Sequence, residues 1–237
     1  MRIAMWSGPR NLSTAMMYAF GARADFAVVD EPFYASYLKL TGLEHPMRAD
    51  ILASQSTDPA TVIDSLLGPV PRDKPHFYQK HMSQHMIPEI PRDWVTEVVN
   101  VFLIRHPARV AASFSAKYDD PVLEDIGFVQ QADLFDVLTA AGQAPIVIDS
   151  SDIRRDPENM LRRLCSAIDL DWDPAMLSWP AGGHSDDGIW AAHWYGAVHR
   201  STGFAPAEGD LPELSAQQAD LAEAAMPSYE KLKAHKL

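Results

Sequence analysis

Short apolar runs alternate along the chain with stretches whose apolar positions recur every three or four residues. Residues 3–6 predict a strand and residues 13–23 a helix. Residues 26–29 predict a second strand, closed by Asp30-Glu31-Pro32, and residues 61–67 a helix ended by Gly68-Pro69. Phe77-Tyr78 mark a third, faintly signalled strand. Residues 98–104 (Val-Val-Asn-Val-Phe-Leu-Ile) are the clearest strand, apolar on both faces. A helix follows from about Pro107, a residue suited to a first helical turn. Residues 128–141 predict a helix stopped by Gly142, and residues 145–148 a further buried strand. Asp156-Pro157 opens a helix with Met160, Leu161, Leu164, Cys165 and Ile168 on one face, which makes Cys165 a core residue and not a nucleophile.

Strands alternating with helices predict an α/β fold of three layers, with a central, mostly parallel sheet covered on both faces. In such sheets ligands bind beyond the carboxyl ends of the strands, so the loops after Trp6, Val29, Tyr78, Ile104 and Ile148 are the places to look. Residues 172–204 hold Trp172, Trp179, Trp190, Trp194 and Tyr195 and read as an aromatic cap over one edge of the sheet. The whole chain, 1–237, reads as a single domain.

Composition narrows the function. Hydrophobic residues at 47% and charged residues at 22% describe an ordinary globular protein, and no apolar run is long enough to span a bilayer. The apolar start of the chain is too short for a signal peptide. The single cysteine excludes an internal disulfide and points to a reducing, cytoplasmic setting. The net charge of -12 argues against nucleic acid. The Arg154-Arg155 and Arg162-Arg163 pairs, at helical spacing, are expected on a solvated face. An anionic ligand would then have to be held by a few locally placed cations.

Two loops supply them. Ser7-Gly8-Pro9-Arg10-Asn11-Leu12-Ser13-Thr14 joins a strand to a helix. Hydroxyls, unpaired N–H groups and the positive end of the helix dipole meet there, and Arg10 adds a fork suited to phosphate or sulfate. The loop lacks the Gly-Lys of a Walker A sequence, which disfavours an ordinary P-loop kinase or ATPase. The plain alternative is a strand-to-helix turn with Ser13 as its cap. The second loop is Arg105-His106-Pro107, with Ser113 on the helix behind it. Alone it could equally be a surface arginine and a small helix residue.

Taken in order, these segments resemble the sulfotransferase family. Pro9-Arg10-Asn11-Leu12-Ser13-Thr14 is similar to that family's 5'-phosphosulfate loop. Arg105 and Ser113 have the Arg-x7-Ser spacing of its 3'-phosphate motif. His199-Arg200-Ser201-Thr202-Gly203-Phe204 resembles the basic loop that closes over the 3'-phosphate. The resemblance implies a P-loop-like fold and 3'-phosphoadenylyl sulfate as donor, with no metal. It implies donor contacts from Arg10, Asn11, Ser13 and Thr14 at the 5' end, and from Arg105, Ser113 and Arg200 at the 3'-phosphate. The family loop usually has Gly where this chain has Leu12, whose side chain is expected to narrow the cradle.

Sulfuryl transfer needs a base for the acceptor and cations for the leaving phosphate. Arg10 and Lys80, expected just past a strand end, are the candidate cations, although a solvent-facing lysine fits the position as well. Glu31 is the first candidate base, with His85 and then His81 behind it. Pro32 predicts an extended backbone at Glu31. Asp30 and partial burial are expected to raise the proton affinity of Glu31, and Arg10 to lower it. The histidines 81, 85 and 106 lack the cysteine or carboxylate partners of a zinc set, and no metal is expected. The acceptor is expected to be a small molecule bearing a hydroxyl or amine. The rival readings are a nucleotide-binding or regulatory protein without catalysis, and an atypical P-loop kinase.

Overall fold

A strand apolar on both faces must lie inside a sheet covered on both sides. Strand β1 (Arg2–Ser7) does so, with Ile3, Ala4, Met5 and Trp6 fully buried. In the computed structural model, which describes residues 1–237, β1 is the centre of a five-stranded parallel sheet. The other strands are β2 (Phe26–Asp30), β3 (His76–Met82), β4 (Val99–Ile104) and β5 (Ile146–Asp149), in the spatial order β2-β3-β1-β4-β5. Helix α1 (Ser13–Gly21) leads to β2, and α2 (Tyr34–Thr41), α3 (Arg48–Ser54) and α4 (Pro59–Leu67) lead on to β3. Helices α5 (Pro107–Ser115) and α6 (Phe128–Ala140) join β4 to β5. Beyond β5 lie α7 (Ser150–Arg155), α8 (Pro157–Ala167), the short α9 (Ala191–Trp194) and α10 (Ala216–Lys233).

The period-2 alternation of the strands sorts side chains into two cores. Ala4, Trp6, Phe102 and Ile104 face one side, where α6 and α10 supply Leu134, Phe135, Leu138, Leu221 and Leu232. Ile3, Met5, Val101 and Leu103 face the other, against Met16 and Phe20 of α1 and Leu161, Leu164 and Cys165 of α8. No helix is long and apolar enough to cross a membrane. Gln131 on α6 donates from one amide to the carbonyls of Trp6 (2.9 Å) and Leu103 (3.1 Å), tying the carboxyl ends of β1 and β4 together.

Several expectations need correction. The faint strand at Phe77-Tyr78 is a full seven-residue β3, inserted between β1 and β2. Its polar run Gln79-Lys80-His81 hides it from a hydrophobic pattern, yet all three residues are buried with partners. Lys80 is therefore inside the strand and neither past its end nor in solvent. His81 lies in the core, its ring stacked 4.3 Å from that of Trp6. Helices α2, α3, α7 and α10 were not expected. Helix α10 does carry a start signal, the reciprocal capping pair Ser215 and Gln218, but its buried face relies partly on Ala222 and Ala225, a weak apolar stripe. The aromatic cap is present. It folds over the carboxyl end of β2, where the Gly188 N–H donates to Asp30 Oδ2 at 3.0 Å, and Asp187 accepts from Tyr18 of α1 at 2.5 Å.

Gly8 sits where the loop after β1 meets the backbone at Ile126: a Cβ on it would lie 2.4 Å from the Ile126 carbonyl oxygen. Gly8→Ala is expected to cost about 1–3 kcal/mol by overpacking. Gly142→Ala, with open space around its Cβ but a φ of +76°, should cost only about 1 kcal/mol. Denaturant midpoints compare the two, and equal losses would show that the loop is not packed this tightly.

Burial pushes the pKa of His81 down to about 3, with the nearby Lys80 charge adding to it. Between that value and the ordinary histidine value of about 6.5, the unfolded chain binds a proton that the folded chain does not. Stability is thus complete above pH ~6.5 and falls as the pH drops, at up to about 1.4 kcal/mol per unit. Unfolding midpoints from pH 7 to 4 should show this slope in the wild type and a shallower one in His81→Phe. Parallel slopes would remove His81 as the cause.

Candidate active site

Beyond the carboxyl ends of the strands opens a cavity of about 370 Å³. One wall is built from the two predicted anion loops. In the first, Arg10 and Leu12 both take left-handed backbone conformations, φ 64° and 75°, on either side of Asn11. Leu12 thus adopts the conformation for which glycine is the usual choice, a strain on the order of 1 kcal/mol. Its side chain packs partly onto the α1 side of the core and also lines the cavity, so the backbone is glycine-like while the leucine side chain stays on the cavity wall. Leu12, not Ser13, is the N-cap of α1, and no side chain caps the helix. The helix start, with Ser13 and Thr14, lines the cavity and leaves N–H groups for a ligand. Asn11 is buried and donates to the Leu103 carbonyl at 3.3 Å, which anchors the loop to β4.

The second loop is cross-tied to the first. Arg10 Nε donates to Ser113 Oγ at 2.9 Å, and Arg105 Nη1 donates to the Arg10 carbonyl at 2.6 Å. Burial, and after it the neighbouring Arg105 charge, push the pKa of Arg10 down. Arg105 and Ser113 line the same cavity as Arg10. Arg200 does not: it is exposed and absent from the cavity wall, while Ser201 and Gly203 of the same segment face it. Arg154, expected on a solvated face, instead turns into the cavity wall, because α7 ends there against residues 206–208.

The opposite part of the wall holds a buried charge cluster. Lys80 Nζ donates to Asp30 Oδ1 (2.7 Å), Glu31 Oε1 (2.6 Å) and the Tyr195 hydroxyl (2.6 Å). All three of its N–H bonds are thereby used. Glu31 does not have the extended backbone that Pro32 predicts: its φ is 39°. That bend is held by the Glu31 N–H on the Lys80 carbonyl (2.9 Å) and by Gln55 on the Glu31 carbonyl (3.1 Å). The bend turns the carboxylate toward β3, where Lys80, and not Arg10, is its cation. Burial raises the pKa of Glu31; Lys80 opposes and Asp30 reinforces the rise. Oε1 takes the bonds from Lys80 and Tyr195, whereas Oε2 carries none, and the residue lines the cavity.

His85 also lines the cavity, its ring stacked between those of Tyr34 (4.7 Å) and Tyr37 (4.8 Å). Its Nδ1 is buried without a partner, and burial, with help from nearby cations, drives its pKa well below the usual value. His81 does not reach the cavity. Of the aromatic cap, Trp194 and Tyr195 face the cavity, Trp179 and Trp190 pack in the interior, and Trp172 lies under Arg162. Tyr34, Tyr37, His45 and Tyr118 were missed by the sequence reading. The i, i+3 spacing of Tyr34 and Tyr37 was the one signal available, and it does not distinguish a cavity from a core.

This arrangement can hold an anion with two charged ends beside an aromatic chamber, with a free carboxylate oxygen on the same space. A family model described as a sulfotransferase domain matches residues 1–236. Two curated proteins of Arabidopsis thaliana, branched-chain-amino-acid aminotransferase-like proteins 1 and 2, are 36% and 34% identical over 234 residues. The match takes in 98% of this chain but only 42% and 41% of theirs, so the chain spans about two fifths of the length of these relatives. The sulfotransferase domain from the curacin biosynthetic pathway superposes with a TM-score of 0.56 at 14% identity, over 94% of this chain and 96% of that one, a likeness of fold. With its parallel sheet, its loop after β1 and a match along nearly its whole length, the chain belongs to the sulfotransferase domain family.

Proposed function

We propose that this chain is a sulfotransferase that moves a sulfuryl group from 3'-phosphoadenylyl sulfate to a hydroxyl or amine of a small-molecule acceptor, in a reducing, cytoplasmic setting. The observation that carries this reading is the single cavity that joins the uncapped start of α1, with Arg10, Ser13 and Thr14, to the free oxygen of Glu31. A helix start with an arginine fork suits the donor's 5' end, and Arg105 with Ser113 suits its 3'-phosphate. The aromatic chamber around Tyr34, Tyr37 and Phe114 suits an acceptor with a planar or apolar body. The aminotransferase-like name of the Arabidopsis proteins is that of chains more than twice as long, whereas the sulfotransferase domain family matches residues 1–236 of this chain.

In the proposed reaction the acceptor oxygen or nitrogen bonds to sulfur as the bond from sulfur to the 5'-phosphate oxygen breaks. That oxygen keeps the electron pair and departs as part of adenosine 3',5'-bisphosphate. The acceptor proton passes to Glu31 Oε2. Arg10 and the N–H groups of α1 meet the charge that grows on the leaving phosphate. Lys80 takes a different part from the one the sequence suggested: with its donors spent on Asp30, Glu31 and Tyr195, it positions the carboxylate. His85 is the weaker base because so low a pKa makes a poor proton acceptor.

Glu31→Gln is expected to leave nucleotide affinity nearly unchanged and to cut transfer by about 10²–10⁴. His85→Asn should change it far less. Single-turnover assays with the donor and a mixture of phenols, alcohols and amines test this; normal turnover by Glu31→Gln beside a dead His85→Asn would move the chemistry to His85.

Arg105→Ala is expected to weaken adenosine 3',5'-bisphosphate by on the order of 1.5–3 kcal/mol more than it weakens adenosine 5'-phosphate. Titration calorimetry with both ligands measures the difference. An equal loss would mean that Arg105 does not read the 3'-phosphate.

A further inference from the structure

From Ala205 to Leu214 the chain runs without helix or strand. In the middle of this strap, Glu208 turns its carboxylate inward until its side chain is only 5% exposed. Three arginines from three places surround it. Arg105 after β4 and Arg154 on α7 both reach Oε1, Arg154 at 2.6 Å, and Arg109 on α5 lies 3.2 Å from Oε2. The arginines hold the strap backbone as well: Arg154 Nε donates to the Pro206 carbonyl at 2.8 Å, and Arg109 donates to that of Gly209.

One carboxylate against three guanidiniums leaves two positive charges uncompensated, in a chain whose net charge is -12. The geometry is incomplete too, since the Arg105 Nε donor is buried without a hydrogen bond. A phosphate monoester carries about -1.5 to -2 charges and three acceptor oxygens, which matches both deficits. Arg105 and Arg154 also line the cavity that holds Arg10, so the cluster is continuous with the proposed donor site. We propose that Arg105, Arg109 and Arg154 together form the seat of the donor's second phosphate, and that Glu208 fills this seat in the free protein and leaves it when the nucleotide binds. This rests on the nucleotide reading above. It adds Arg109 and Arg154 to the specificity for a 3'-phosphate and makes the strap a competitor for it.

The test compares the wild type with Glu208→Gln, using inorganic phosphate, adenosine 5'-phosphate and adenosine 3',5'-bisphosphate as probes in calorimetry and thermal melts. Without anion, Glu208→Gln should melt below the wild type, because three guanidiniums then face one another, and phosphate should close the gap. The variant should bind adenosine 3',5'-bisphosphate about tenfold or more tightly than the wild type does, since no internal carboxylate has to be displaced first, with adenosine 5'-phosphate unchanged. Adding Arg154→Ala to Glu208→Gln should abolish the gain. An unchanged or weaker affinity of Glu208→Gln for the bisphosphate would overturn the proposal and leave Glu208 as a structural tie. A gain for inorganic phosphate, with neither protein binding either nucleotide, would uphold the displacement of Glu208 by phosphate and sink the donor assignment. In the wild type, limited proteolysis should cut the 205–214 strap faster with adenosine 3',5'-bisphosphate than with adenosine 5'-phosphate; slower cutting would count against displacement even if the variant does not fold.

Discussion

Lys80 Nζ, buried and shared between Asp30, Glu31 and Tyr195, is the contact on which the site depends. An ammonium enclosed in protein is stable only with charged partners close by, and removing one partner of such a set typically costs about 3–5 kcal/mol. Lys80 meets that requirement by drawing in the end of β2, which carries both carboxylates, and the cap, which carries Tyr195. The same atoms that satisfy the charge thereby join a central strand, the edge strand and the segment that closes over them. Trp190 Nε1 completes the set by donating to the Tyr195 hydroxyl at 3.0 Å. Two carboxylates against one ammonium leave a net negative charge, and Glu31 is the member with an oxygen left over.

The other half of the site is governed by the opposite sign. Arg10, Arg105 and Arg154 converge on the cavity from segments remote in sequence, held by the cross-tie between Arg10 and Ser113 and by the carboxylate of Glu208. In a strongly acidic protein these few cations are concentrated at one place, and being mostly buried they are screened less than surface charges. The two halves sit on one cavity: an electropositive wall suited to holding and stabilising a leaving phosphate, and an electronegative one suited to taking a proton.

The uncapped start of α1 shows how local strain serves the site. Left-handed residues at positions 10 and 12 turn the chain sharply out of β1 and leave the first helical N–H groups without side-chain partners. Such a backbone is held by its surroundings: Gly8 lies against Ile126, Asn11 is bound to the Leu103 carbonyl, and Gln131 ties the strand ends beneath. Leucine at the left-handed position 12 packs partly against the core beside α1 and lines the cavity with the rest of its side chain.

Much of this was legible in the residues themselves. The two-faced apolar strands 3–6, 98–104 and 145–148, the helices between them and the hydroxyl-rich loop after β1 follow from period and composition, which depend on neighbours a few positions away. So do the placements of Arg10, Ser13, Thr14, Arg105 and Ser113 on the cavity wall. What sequence could not decide are the features set by distant partners. A Lys in a polar run looks solvated until Asp30 and Tyr195, 50 and 115 positions away, are seen to bury it. Glu31 looks extended before a proline until Gln55 and the Lys80 carbonyl bend it. Arg154 looks like a surface charge until Glu208 draws it inward, while Arg200, which matches a motif, stays outside. The chain by itself determined the alternation of buried strands with helices and the chemistry available in the loops after β1 and β4. Only the tertiary structure decided which charges share one cavity, because the free energy of a buried charge depends on partners that the linear sequence keeps far apart.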